Sequence, residues 1–249
     1  MSEYGYGFNE ILQNRPYQMT VSFCTLAIHE PYRRRARLLF SDLPLAPWFV
    51  LTDEPDDFAD LSVHAIAHQP TGPMAVDYLY GLPPLGTGTA AYHDKRFALK
   101  AALEGFDTAV YVDADSRISG RVLLRAFPSG IAVHSETRWS IEQHLAAYGS
   151  WRKPVFTELA EHLFGDNAVL GVAHWCPENV VAITKDGRES RFFEAWTEAA
   201  EFLQGRKVYS GEGGVIGLAA AYAGWEVNFD SLHPLVSVIQ HEAGGPKAA

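Results

Sequence analysis

The sequence predicts an α/β fold in which helices flank a mostly parallel central sheet. Short apolar runs rich in β-branched and aromatic residues alternate with segments that carry apolar residues at helical spacing. The runs are apolar at consecutive positions, which is typical of strands buried on both faces of a parallel sheet. The 249 residues fit one such unit, and we expect a single domain over residues 1–249.

In the first half of the chain, strands and helices alternate regularly. An apolar run over residues 19–28 predicts the first strand, and Pro31 suits the first turn of the helix that follows. The segment DKRFALKAALEG combines good helix formers with Gly105 as a stop. The other strands of this half are predicted within WFVLTD, LSVHAIAH and FDTAVYVDAD. This alternation predicts parallel pairing of the strands.

The second half of the chain is less regular. Apolar residues at helical spacing predict a helix over residues 190–205, and GEGGVIGLAAAYAG predicts a loop entering another helix, which Gly224 ends. Strands are predicted within HWCPENVVAITK and WEVNF, and a short helix and a strand within residues 116–136. The Pro- and Gly-rich segment 69–89 predicts an irregular loop bordering a site.

Composition excludes several classes of protein. The formal net charge of -10 opposes binding to nucleic acid. No apolar run reaches the roughly 18 residues of a membrane span, and residues 1–7 lack the regions of a signal peptide, so we expect a cytoplasmic protein. Cys24 and Cys176 lie far apart without metal-ligand spacing, which excludes a disulfide framework and a cysteine zinc site. The oligomeric state stays open.

The predicted strand AVYV ends on two aspartates, Asp113 and Asp115, with Ala114 between them. In parallel α/β sheets, ligands bind at the carboxyl ends of the strands. Alternation points both carboxylates to one side, where they repel each other unless a cation binds. Oxygen ligands favour Mn²⁺ or Mg²⁺, whose remaining positions are commonly filled by phosphates and water. We therefore expect a metal-bound nucleotide or diphosphate here, the alternative being a solvated turn.

These motifs resemble glycosyltransferases of the GT-A fold. In that fold an Asp-X-Asp after a central strand binds the metal that holds the nucleotide-sugar diphosphate, and YVDADSRI resembles this element. The stretch VSFCTLAIHEPYRRRARLLFSDLPLAPWFVLTD is similar to the opening of the retaining blood-group A and B transferases and their bacterial relatives. The resemblance implies a nucleotide-sugar-binding half over about residues 18–118 and an acceptor-binding and catalytic half over about residues 119–249.

The resemblance also implies roles for individual residues. Lys95 takes the position of a donor-contacting lysine, and His233 that of a C-terminal histidine that is a third metal ligand in glycogenin-like relatives but is missing from the blood-group type. Strand packing is the alternative role for Thr25 and Ala27, and a solvated helix start for His29. The implied donor-binding residues are Thr25, Ala27, His29, Asp53, Lys95, Asp113, Ala114 and Asp115.

Glu212 is the catalytic candidate. The segment VYSGEGGVIGLAAAYAGWEV resembles the part of these transferases in which an acidic residue at the head of a helix faces the anomeric carbon of the donor. A carboxylate there stabilises an oxocarbenium-like state, although a helix N-terminus favours negative charge without any catalysis. The blood-group transferases carry Asp-Glu where this chain has Gly211 before Glu212. We expect Gly213 and Gly214 to let the backbone approach a sugar closely.

The function that the resemblance implies is metal-dependent transfer of a sugar, with retention of configuration, from a nucleotide donor to a saccharide or other hydroxyl acceptor. A UDP-sugar is the expected donor. Aromatic residues that suit an acceptor cleft are Trp139, His144, Tyr148, Trp151 and Trp175. One alternative is a sugar nucleotidyltransferase, although TLAIHEPYRRR lacks the Gly-rich basic loop of that class. The other is a nucleotide-sugar-binding module without catalysis.

Overall fold

The computed structural model describes residues 20–71, 74–75, 88–122, 127–206, 208 and 211–241. Most of the predicted Pro- and Gly-rich loop over residues 69–89 lies outside these residues, as does part of the short helix predicted within 116–136. The strands of the described residues are β1 (Val21–Ala27), β2 (Trp48–Thr52), β3 (Val63–Ala67), β4 (Met74–Ala75), β5 (Gly88–Thr89), β6 (Thr108–Val112), β7 (Ser116–Ile118), β8 (Gly130–Val133), β9 (Val180–Thr184) and β10 (Ile239–His241).

A six-stranded sheet in the order β3-β2-β1-β6-β9-β8 forms the centre of the fold. Strands β3, β2, β1 and β6 pair in parallel, whereas β9 runs antiparallel to both β6 and β8. Two short antiparallel pairs, β7 with β10 and β4 with β5, lie outside this sheet. The predicted fold class, a mostly parallel sheet flanked by helices, is therefore confirmed.

Helices cover the sheet and build two apolar clusters. The helices of the described residues are α1 (Glu30–Asp42), α2 (Lys95–Glu104), α3 (Ile141–Tyr148), α4 (Lys153–Phe164), α5 (Val169–Val172), α6 (Glu189–Gly205), α7 (Glu212–Ala223) and α8 (His233–Val236). One cluster joins the sheet to α2, α6 and α7 through buried residues such as Leu99 and Trp196. The other joins it to α1 through Leu39, Trp48 and Phe58. All five residues of β6 are buried between the two clusters.

In the second half, one prediction is wrong and one region carried no prediction of its elements. The segment WEVNF is not a strand. The ring of Trp225 packs on Gly130, and its Nε1 donates to Asp186 at 3.0 Å. Asn228 forms only an isolated bridge to Ala132. Residues 137–172, for which the sequence predicted no helices, form α3, α4 and α5. Helix α3 begins with a capping box between Ser140 and Gln143.

Helix α7 packs unusually close to the backbone of residues 174–176. Cys176 N–H donates to Gly213 C=O at 3.0 Å. A Cβ on Gly213 would lie 2.5 Å from Cys176 C=O, and one on Gly217 would lie 1.9 Å from His174 C=O. The glycines therefore let two backbone segments meet, which corrects the prediction that Gly213 and Gly214 make room for a sugar. Gly211, with a φ of 99°, turns the chain into the helix.

We expect Gly217→Ala to lower the free energy of unfolding by about 3 kcal/mol, because the new methyl group would overlap a backbone carbonyl that cannot move alone. The matched control is Gly205→Ala at the end of α6, where a Cβ meets nothing within 4 Å. The control should be neutral or stabilising by up to about 1 kcal/mol. Urea unfolding of both variants measures the difference, and equal values for the two would refute the close packing of α7.

Candidate active site

A cleft of about 770 Å³ opens at the edge of the sheet where its parallel strands end. Ile28 lies just after β1, Asp113 just after β6 and Ser135 just after β8, and all three line the cleft. Glu178 reaches the same edge because it precedes β9, which runs in the opposite direction. Neighbouring strands lie about 4.8 Å apart, so the step from β1 through β6 and β9 to β8 covers about 14 Å.

The two aspartates of the Asp-X-Asp motif occupy the turn after β6. Ser116 N–H donates to Asp113 C=O at 3.0 Å, and Asp113 N–H donates to Asn179 C=O at 2.9 Å, so the turn is fixed on both sides. Ala114 is buried and Asp115 lines the cleft beside Asp113. The structure thus places Asp113, Ala114 and Asp115 together, as the sequence predicts.

His241 joins the two aspartates. It is the last residue of β10, whose antiparallel pairing with β7 sets it opposite Ser116. One ligand atom each from Asp113, Asp115 and His241 lies within 4.8 Å of the others, and His241 Nδ1 is 3.2 Å from Asp115 Oδ1. The two carboxylates suit Mn²⁺ and Mg²⁺, and the imidazole favours Mn²⁺, because Mg²⁺ prefers oxygen ligands. The sequence did not point to His241, because no local pattern shows that β10 pairs with β7.

His233, the residue proposed for that place from the sequence, is not brought to the aspartates. It begins α8, and its ring packs against that of His134 with the centroids 5.0 Å apart. His134 in turn lies 3.3 Å from Phe229 C=O through its Nδ1. Helix α8 packs through Leu235 into the apolar cluster that joins the sheet to α1.

Lys95, the first residue of α2, is buried in the cleft among carboxylates. Its Nζ lies 3.0 Å from Asp113 Oδ1 and 3.8 Å from Glu212 Oε1, and it donates to Glu178 C=O at 3.3 Å. It also lies 5.2 Å from the centre of the Tyr111 ring. Burial opposes its charge, but Asp113, Glu212 and Glu178 outweigh burial and raise the pKa of Lys95. Lys95 is therefore a fixed cation.

The carboxylates of the cleft differ in their surroundings. Tyr111 O–H donates to Asp113 Oδ1 at 3.0 Å, the same oxygen that Lys95 contacts. Burial and then repulsion by Asp113 raise the pKa of Asp115, against the pull of His241 and of Arg35, which is 3.6 Å away. Asp113 and Asp115 therefore repel each other, and a divalent cation would reduce this repulsion.

Glu212 and Glu178 face the cleft on the far side of Lys95. Glu212 is the first residue of α7 and is only 7% exposed. Burial and then repulsion by Glu212 raise the pKa of Glu178 to about 7, although Lys95 lowers it. Sequence reasoning found Glu212 by its place at the helix start, and the structure sets it within reach of the lysine that also holds Asp113.

Thr25 and Ala27 do not line the cleft, contrary to the sequence prediction. Along a strand, side chains alternate between faces, and Ala27 packs into the apolar cluster that joins the sheet to α1. The residues of β1 and its end that do line the cleft are Leu26 and Ile28. The positions that the resemblance implied differ by one residue from those that line the cleft, and a shift of one residue moves a side chain to the other face of a strand.

His29 and Asp53 contact each other rather than lining the cleft. His29 has a φ of 71°, and its N–H donates to both oxygens of the Asp53 carboxylate at 3.1 and 3.2 Å. Arg33 Nη1 also donates to Asp53 at 2.7 Å. These contacts fix the turn from β1 into α1, and Tyr32 of that helix lines the cleft.

Comparison with known proteins gives little at the level of sequence. Neither a family model nor a curated protein matches the chain. Among solved structures it resembles the apo form of WbbM, a bifunctional glycosyltransferase, with a TM-score of 0.48, 10% identity and coverage of 93% of this chain and 47% of that one. It thus spans about half the length of WbbM.

A second solved structure is the apo form of mouse xyloside xylosyltransferase 1. Its TM-score is 0.42, with 9% identity and coverage of 84% of each chain. Both neighbours are glycosyltransferases. The finer resemblance to blood-group transferases and glycogenin stays a prediction. Among the described residues, no helix has the length and apolar character that a membrane crossing requires.

We expect Lys95→Met to lower the free energy of unfolding by about 3 kcal/mol at pH 7, because it leaves buried carboxylates without their cation. The deficit should shrink as the pH falls from 7 to 5, since burial and then Glu212 raise the pKa of Glu178 to about 7, and protonation of Glu178 removes its repulsion of the other carboxylates. Lys153→Met is the control, because Lys153 pairs with Glu142 on the surface. Denaturant unfolding at several pH values measures both, and a deficit that does not change with pH would contradict this electrostatic account.

Proposed function

We propose that this cleft transfers a sugar from a nucleotide-sugar donor to a hydroxyl group of an acceptor, with the help of a divalent cation. One observation carries the proposal. Lys95 Nζ lies between Asp113, at 3.0 Å, and Glu212, at 3.8 Å, so a single buried cation connects the candidate metal ligands to a buried carboxylate. The negative charge of the leaving group can then be stabilised by Lys95 and the cation, and the positive charge that develops on the sugar by Glu212 next to them.

The donor would lie across the ends of β1 and β6. Ile28, Tyr32 and Tyr92 supply an apolar and aromatic surface at the β1 end of the cleft, which suits a nucleoside. The diphosphate would follow at the turn after β6, beside Asp113 and Asp115. We expect UDP as the nucleotide part. The proposal keeps about residues 18–118 as the donor-binding half and about residues 119–249 as the acceptor-binding and catalytic half of one domain, with His241 of the second half reaching the donor site.

Asp113, Asp115 and His241 would hold the cation. A bound Mn²⁺ or Mg²⁺ neutralises the negative charge that the diphosphate gains as it leaves. Lys95 adds a second, permanent positive charge next to the same group, because its surroundings keep it protonated. Tyr111 fixes the Asp113 carboxylate through its hydroxyl group. The cleft would therefore favour departure of the diphosphate without general acid catalysis.

Glu212 would act on the sugar. The bond between the anomeric carbon and the phosphate oxygen breaks with both electrons passing to the diphosphate, and the carbon becomes positively charged. The Glu212 carboxylate stabilises this charge, the acceptor oxygen bonds to the carbon, and the hydroxyl proton passes to the departing phosphate oxygen. Attack from the side of the leaving group gives retention of configuration.

We expect nucleoside diphosphates to stabilise the protein only together with Mn²⁺. Saturation at about 100 times the dissociation constant adds about 2.7 kcal/mol, or roughly 5 to 10 °C in melting temperature for a chain of this size. Asp115→Asn should abolish this shift, and Asp56→Asn, at an exposed position on the surface, should retain it. Thermal unfolding with UDP, GDP, ADP and CDP, each with and without Mn²⁺, is the measurement. The proposal fails if none of the four gives a metal-dependent shift.

Glu212→Gln should reduce release of sugar from a nucleotide-sugar donor at least about 100-fold, because the carboxylate acts only after bond breaking has begun. The shift that UDP and Mn²⁺ give should change little. Glu226→Gln, at an exposed position after α7, is the matched control. Donor consumption followed by nucleotide release measures the effect. A native protein that binds donor with metal but never consumes it would instead be a binding module.

A further inference from the structure

The β8 side of the cleft is lined by aromatic side chains that the donor site does not use. We call Trp139, His144, Tyr148 and Trp175 the aromatic wall. The Trp139 and Tyr148 rings stack with centroids 5.4 Å apart and planes at 28°. The His144 and Trp175 rings stack with centroids 3.7 Å apart and planes at 9°. The wall is thus two stacked pairs, joined by the contact of His144 with Tyr148 at 5.4 Å.

Backbone contacts hold the wall rigidly. Trp175 N–H donates to Trp139 C=O at 2.9 Å, and Ser140 forms a bridge with His174 and caps α3. His144 and Tyr148 lie one turn apart on that helix and so share a face. A rigid surface loses little entropy when a ligand binds to it, so the wall is preorganised.

The wall is connected to the catalytic candidate. A Cβ on Gly213 would lie 2.5 Å from Trp175 Nε1, so Trp175 packs directly on the first turn of α7, which begins with Glu212. Glu178 follows Trp175 by three residues and lines the cleft beside it. A molecule bound at the wall would therefore lie next to the carboxylate that we assign to the reacting carbon.

Part of the wall faces solvent although it is apolar. The Tyr148 side chain is 69% exposed, and Trp139 is partly exposed, whereas Trp175 is 9% exposed. Burial and then the nearby Arg152 lower the pKa of His144, so the wall carries no histidine charge at neutral pH. Exposed aromatic rings in a concave site bind ligands that present an apolar face.

The position of the wall along the sheet separates it from the nucleoside end. Ser135 and Thr137 follow β8, about 14 Å along the sheet from the end of β1, and their hydroxyls lie 3.2 Å apart at the rim of the cleft. Lys95 and Glu212 lie between the two ends. An acceptor bound at the wall would thus lie at the other end of the cleft from the nucleoside.

We propose that the aromatic wall binds the acceptor and that the acceptor is a neutral saccharide, a sugar ring of which stacks on Tyr148 and Trp139. This proposal rests on the proposed function of the cleft. A pyranose ring offers an apolar C–H face for an aromatic surface and hydroxyl groups at its edge for Ser135 and Thr137. The four carboxylates of the cleft, Asp113, Asp115, Glu178 and Glu212, outnumber its cations Lys95 and Arg152, and a bound diphosphate adds negative charge, so the occupied cleft disfavours an anionic acceptor.

The test uses the full chain with UDP and Mn²⁺ on a printed array of neutral oligosaccharides, followed by titration of each saccharide that binds. Tyr148→Ala and Trp139→Ala should each weaken saccharide binding at least tenfold, and Tyr148→Phe should keep it. The melting shift given by UDP and Mn²⁺ should stay unchanged in all three variants. Leu45→Ala is the control, because Leu45 is a large apolar residue that is 72% exposed and does not line the cleft, so saccharide binding should stay unchanged.

Several outcomes overturn the proposal. If the native chain binds no neutral saccharide but shows the nucleotide shift, the wall proposal fails while the proposed function survives. Unchanged saccharide binding in both alanine variants, with their melting temperatures intact, also overturns it. Loss of the nucleotide shift in those variants would mean that the wall holds the nucleobase. Saccharide binding that depends on Tyr148 without any nucleotide shift would support the wall as a sugar site and refute the proposed transfer reaction.

Discussion

The balance of one buried lysine against the carboxylates of the cleft is the interaction on which the site depends. Asp113, Glu178 and Glu212 come from three separate parts of the chain, and Lys95 contacts a side-chain or backbone oxygen of each. Without Lys95, these three carboxylates would repel one another at a site that is largely shielded from water. Burial and then repulsion by Asp113 raise the pKa of Asp115, which lies beside His241, and a cation held by these three residues would reduce that repulsion.

Backbone hydrogen bonds and close packing of the backbone hold these charged groups in fixed positions. The turn after β6 is fixed by backbone hydrogen bonds to Asn179 and Ser116, and α7 is set by glycines that allow contact with residues 174–176. Groups that must act together are therefore attached to buried strands and closely packed backbone. The order of the strands then spreads the surface chemistry along the cleft, with apolar residues at the β1 end, charged residues at β6 and β9, and aromatic residues beyond β8.

The sequence predicted what depends on local pattern. Asp113 and Asp115 follow a strongly apolar strand, and Glu212 begins a helix that Gly224 ends, so the local sequence is enough to locate both. The resemblance suggested Thr25 and Ala27 for the pocket, and the apolar run of β1 could not test this, because it carries no alternation to show which side faces the cleft. His241 could not be found, since its approach to Asp115 depends on the pairing of β10 with β7, more than a hundred residues earlier.

Pulsed EPR of Mn²⁺ bound to the full chain in the presence of UDP tests the central claim most directly. If Asp113, Asp115 and His241 hold the cation against the diphosphate, the spectrum contains a phosphorus coupling from UDP together with a nitrogen coupling from the histidine. Both couplings should disappear in Asp113→Asn. A bound Mn²⁺ that shows no phosphorus coupling at saturating UDP would contradict the account, because the carboxylates at the end of β6 would then not form a donor site.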